Sequence, residues 1–96
     1  MRRDEALALL RRFKEQRGAE FAIDRIGVFG SVARDAAAED SDVDVVFTTD
    51  APNLFRASRL RQELVELLGR DVDLIRLRDR MNPGLRARIE REALYA

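Results

Sequence analysis

The chain has 96 residues, 46% of them hydrophobic, which suits one domain with a real core and leaves no room for two. Eighteen basic and eighteen acidic side chains cancel, so no global field draws the protein to nucleic acid or to a membrane surface. Cysteine and histidine are both absent, which removes disulfides, thiolate nucleophiles, cysteine- or histidine-ligated zinc and every histidine general base.

Any catalysis must therefore rest on carboxylates, hydroxyls, arginines and backbone amides. The opening Met1-Arg2-Arg3-Asp4-Glu5 reads as the start of a charged helix rather than a signal peptide, and no apolar run approaches membrane-spanning length. A cytoplasmic location, no membrane partner and no direct nucleic-acid binding are expected.

Asp4 is placed to cap a helix running to about Arg17, with Ala6, Leu9, Leu10 and Phe13 as its apolar stripe and Gly18 at its C-cap. Arg25–Phe29 reads as a short strand ending in Gly30-Ser31, where a short helix through Val32, Ala33 and Arg34 begins. After the polar stretch Glu39-Asp40-Ser41, residues 42–47 alternate as a second strand, with Val43, Val45 and Phe47 facing a core. Pro52 and Asn53 open a longer helix with the stripe Ala57, Leu60, Leu64, Leu67 and Leu68, and Gly69 stops it. A third strand, Val72–Leu77, follows. Asn82-Pro83 starts a last helix with Leu85 and Ile89 one turn apart, and the chain ends at Leu94-Tyr95-Ala96. The sum is an α/β (α+β) domain over residues 1–96, a small mixed sheet with helices packed against it, whose motif-bearing core is about 26–77.

Asp42 and Asp44 lie two apart on the second strand, so both carboxylates leave one face. Like charges side by side repel unless a cation sits between them, and Mg²⁺ takes hard oxygen ligands while leaving room for phosphate and water. Asp73 stands between the apolar Val72 and Leu74 on the next strand, where an acid is expected to need a partner. Three aspartates from two strands suit two metal ions about 4 Å apart, an arrangement that steadies both attacking and leaving oxygens in phosphoryl transfer. Gly30-Ser31 ends a strand and begins a helix, where free N–H groups, a bare Cα and a hydroxyl favour an approaching phosphate. Arg34 could add a forked donor there.

Rival patterns fail on the same residues. Asp40-x-Asp42-x-Asp44 imitates a calcium loop, but Val45 and Ala51 stand where glycine and glutamate are required. No Gly-x-Gly-x-x-Gly or Gly-Lys-Ser/Thr follows a strand.

Gly30-Ser31, ten intervening residues, Asp42-x-Asp44 and a later strand aspartate, Asp73, together resemble the signature of the DNA-polymerase-β-like nucleotidyltransferase superfamily. The fuller Gly-Ser-Val-Ala-Arg and Ser41-Asp42-Val43-Asp44 look like its minimal nucleotidyltransferase branch, whose best-known members are MntA-type antitoxins paired with HEPN-domain toxins. That family commonly has glycine after the Ala-Arg pair, where this chain has Asp35.

The resemblance implies adenylyl transfer from ATP with two Mg²⁺ ions and a HEPN toxin tyrosine as acceptor. Asp42 and Asp44 would bridge both metals. Asp73 would complete the metal at the acceptor hydroxyl, and Gly30, Ser31 and Arg34 would hold the triphosphate. A chain of this size is expected to hold a catalytic core and little else, so a partner protein would supply the acceptor wall. Two other functions stay open: an antitoxin that acts by binding alone, and a small-molecule transferase of the aminoglycoside-modifying kind.

Overall fold

Helix α1 (Arg3–Arg17) opens the chain in the computed structural model, which describes residues 1–96 throughout. Its stripe buries Ala6, Leu10 and Phe13. The expected cap at Asp4 is not the one used. Arg2 occupies the N-cap without a side-chain bond, and Asp4 lies inside the first turn, where a negative charge still complements the helix dipole. The Arg3 N–H donates instead to Oδ1 of Asp35, 3.0 Å away. Asp35 is therefore a cap supplied from elsewhere in the fold, and its φ of 56° is one that the glycine implied by the resemblance would also adopt. Aspartate is among the few other residues that enter the left-handed region readily. Gly18 is the C-cap as expected but keeps right-handed angles, so its freedom is not what ends the helix.

Strand β1 (Arg25–Phe29) leads directly into the four-residue helix α2 (Gly30–Ala33). Strand β2 (Val43–Thr48) pairs antiparallel with β1, Phe29 opposite Asp44. Helix α3 (Leu54–Leu68) is capped by the Asn53 side chain, which accepts the Arg56 N–H at 2.9 Å, and is ended by Gly69 at φ 66°. It buries Leu60, Leu64 and Leu68, whereas Leu67, expected on the same stripe, is 36% exposed. Strand β3 (Val72–Arg76) lies parallel to β2 with Asp73 opposite Asp44. Leu77 falls one residue past it, although its N–H still donates to the Phe47 carbonyl. Helix α4 (Pro83–Glu92) is capped by Asn82, and Leu94–Tyr95 forms a short strand β4.

The sheet order is β3-β2-β1-β4, mixed, with β4 antiparallel to β1. That last strand was not foreseen, because two residues carry no alternation to read. It depends on Gly27, where any Cβ would run into the Leu94 carbonyl. One face of the sheet packs Ile26, Val28, Val43, Val45 and Phe47 against α1 and α3. The expected alternation puts the core on that face alone, yet Val46 is also fully buried, with Phe29 and Ile89. Helix α4 covers the second face and is the reason.

Candidate active site

The carboxyl end of β1 and the amino ends of β2 and β3 meet at one edge of the sheet. Register places Phe29, Asp44 and Asp73 in one row across it, so Asp44 sits mid-sheet with the Gly30 turn on one side and Asp73 on the other. Directly opposite residues share a face, with Cβ atoms about 4.5–5.5 Å apart. Asp42 lies one residue before β2 and is exposed, so loop conformation as well as strand pleat sets its direction. Asp73 is exposed too, which corrects the expectation that it needs a partner: β3 is an edge strand, and water solvates its carboxylate.

Asp44 alone of the three is half-buried, and its carboxyl titrates above its ordinary range. Burial is the main cause, followed by the like charge of Asp73, with Asp42 adding to it and Arg88 and Arg34 opposing. Asp44 therefore feels both other acids, although no three carboxylates converge into a closed metal-ligating cluster. In kind they fit Mg²⁺: hard oxygen donors on adjacent strands, one of them disfavoured as a free anion.

Gly30 has φ 70°, and a Cβ there would strike Oδ2 of Asp44 and come within 3.2 Å of Nη2 of Arg88. The glycine is thus required twice, by its backbone angle and by the Asp44 carboxylate lying over it. Ser31 is half-buried inside α2 and is not its N-cap, a position held by Phe29 with no side-chain bond. Arg34, which follows α2, is 51% exposed and donates from Nη1 to Oε1 of Glu92 at 3.0 Å.

Glu92 and Arg88 escaped the sequence reading. Glu92 accepts from Arg34 through Oε1, and through Oε2 from the Gly30 N–H at 3.3 Å and from Nε of Arg88 at 3.2 Å. Burial would raise its pKa, but the Arg88 hydrogen bond, the Arg34 charge and the Gly30 N–H together hold it below the usual glutamate range. A signal was present. Leu85, Arg88, Ile89 and Glu92 follow the i, i+3, i+4, i+7 rule, so two charged residues occupy the stripe that Leu85 and Ile89 mark as inward.

A groove of about 710 Å³ lies at the opposite end of β2 between Phe21, Pro52, Phe55 and Arg78, away from these groups. Arg76 and Arg78 line that groove, and Tyr95 packs in β4 beneath the Arg25 guanidinium.

Residues 9–96 match the nucleotidyltransferase domain family. The protein adenylyltransferase MntA of Thermococcus cleftensis is 34% identical over 93 residues, covering 96% of this chain and 93% of that protein. A solved structure described as a candidate minimal nucleotidyltransferase is also 34% identical, with TM-score 0.73 over 98% of this chain and 95% of its own. A chain of the Shewanella oneidensis complex between a tri-AMPylated HEPN toxin and an MNT antitoxin shares the fold at 20% identity, with TM-score 0.59 over 88% of this chain and 69% of that one.

Proposed function

This chain belongs to the nucleotidyltransferase domain family, and from that premise we propose that it transfers AMP from ATP to a tyrosine hydroxyl of a HEPN-type toxin, residues 1–96 acting as one catalytic domain. The observation that carries the reading is the row across the sheet edge: Asp73 opposite Asp44, and Asp44 over the bare Gly30 turn. The similarity to a protein adenylyltransferase across nearly the whole of both chains supports it, and the fold shared with a chain of a HEPN toxin–antitoxin complex favours the toxin as acceptor.

Asp42, Asp44 and Asp73 would hold Mg²⁺, which supplies positive charge to the phosphate and acceptor oxygens where negative charge builds. The bare Cα of Gly30 makes room for the Asp44 carboxylate, not for a phosphate as the sequence suggested, since its N–H is already taken by Glu92; Ser31 Oγ and Arg34 would donate to phosphate oxygens beside it. Asp73, exposed on the edge strand, is free to take the acceptor's proton. The acceptor oxygen bonds to the α-phosphorus as the bond to the β-phosphate oxygen breaks, and pyrophosphate departs with the charge. No protein atom bonds to phosphorus.

Incubation of the chain with ATP, Mg²⁺ and a HEPN-type toxin, followed by intact mass measurement, tests this directly. The toxin should gain the mass of AMP, and Asp44→Asn should abolish the gain. A toxin silenced without any gain would mean that the chain acts by binding.

A further inference from the structure

We propose that Arg88 of α4 is a phosphate-binding residue of this site, a second guanidinium beside Arg34 that grips the polyphosphate end of the nucleotide. The inference rests on the reading that a nucleoside triphosphate occupies this edge of the sheet. Charged side chains on an inward helix stripe carry a desolvation cost that an apolar residue would avoid, so their presence calls for a use. Arg88 is half-buried, its guanidinium 5.6 Å over the Phe29 ring, with Nη2 turned to the space above Gly30.

Only its Nε is engaged, by Glu92, which leaves the forked pair of terminal nitrogens without a protein acceptor. No carboxylate other than Glu92 comes within ion-pairing distance, so Asp44 does not consume the fork. Glu92 holds Arg34 in the same way, through one nitrogen. One carboxylate thus tethers two guanidinium groups and the Gly30 N–H around a single turn, each arginine anchored but with donors to spare. A planar fork with free parallel donors matches phosphate oxygens bidentately.

The test compares ATP–Mg²⁺, inorganic tripolyphosphate and AMP by calorimetric titration on wild type, Arg88→Ala and Arg88→Lys, with melting curves on each. Loss of a charged hydrogen-bonded contact should weaken ATP and tripolyphosphate by about tenfold to a hundredfold in Arg88→Ala. Arg88→Lys should fall between, because it keeps the charge without the fork. AMP, with a single phosphate, should change by no more than about twofold. Should Arg88→Ala fail to fold, Arg88→Gln, which can still donate to Glu92, takes its place. Unchanged ATP binding, or equal losses for ATP and AMP, would overturn the assignment while leaving the proposed activity standing. A wild-type chain that binds no ATP–Mg²⁺ would overturn both.

Discussion

Two left-handed glycines in this chain allow the reason for Gly30 to be measured. Gly30 at φ 70° and Gly69 at φ 66° share a backbone conformation, but a Cβ on Gly69 meets nothing within 4 Å, whereas one on Gly30 meets Asp44 and Arg88. Placing an L-residue in this region costs about 1–2 kcal/mol. Gly69→Ala should therefore lose that alone, a fall of about 4–8 °C in Tm for each kcal/mol in a domain of this size. Gly30→Ala bears the same backbone cost plus that of driving the Asp44 carboxylate and the Arg88 guanidinium aside, roughly 1–3 kcal/mol more by analogy with overpacking. The two variants should thus differ in stability, and they should differ more sharply in chemistry. Gly69→Ala leaves transfer intact at a temperature where both are folded, while Gly30→Ala loses it, because Asp44 has been displaced. Melting curves and AMP transfer measured on both proteins decide the matter. Equal losses of Tm together with retained transfer in Gly30→Ala would refute the argument that Asp44 lies over this glycine.

Asp44→Asn should be more stable than wild type at neutral pH in metal-free buffer, since burial and Asp73 disfavour the charged Asp44. The folded state holds this proton more tightly than the unfolded chain, so the wild-type penalty is present above the raised folded pKa and fades as pH falls through it. The stability gap should accordingly close on acidification; a gap that widens would be evidence against like-charge crowding. Asp73→Asn should reduce turnover far more than nucleotide affinity, because this residue is assigned to the acceptor, and an equal collapse of both would mean that the role is misassigned. Asp35→Ala should lower stability by about 1–3 kcal/mol through loss of the α1 cap and strain at a positive φ. Asp35→Gly should lose less, since it relieves the strain, and the reverse ranking in thermal melts would show that the positive φ costs alanine nothing here.

Local chemistry made much of this protein legible in one dimension. Strand β1 was found at its observed bounds because Gly30 cuts off an apolar run, and α3 and α4 because Asn53 and Asn82 cap them and Gly69 ends the first. The spacing of Gly30-Ser31, Asp42 and Asp44 pointed to the candidate site because backbone freedom and strand period act within a few residues. What stayed hidden depends on contacts across long stretches of chain. Asp35 caps α1, Gly27 admits the Leu94 carbonyl of β4, and α4 buries Val46, none of which leaves a periodic trace in β2 or α1. Burial of Asp44 and exposure of Asp73 likewise follow from which strand is central and which is at the edge, and strand order is absent from local pattern. The Glu92 hub shows the boundary most clearly. Its residue types and helical stripe stand in the sequence, but only the folding of α4 over the second face of the sheet brings that carboxylate to Gly30, Arg34 and Arg88, because hydrogen bonds act over about 3 Å of space whatever the separation along the chain.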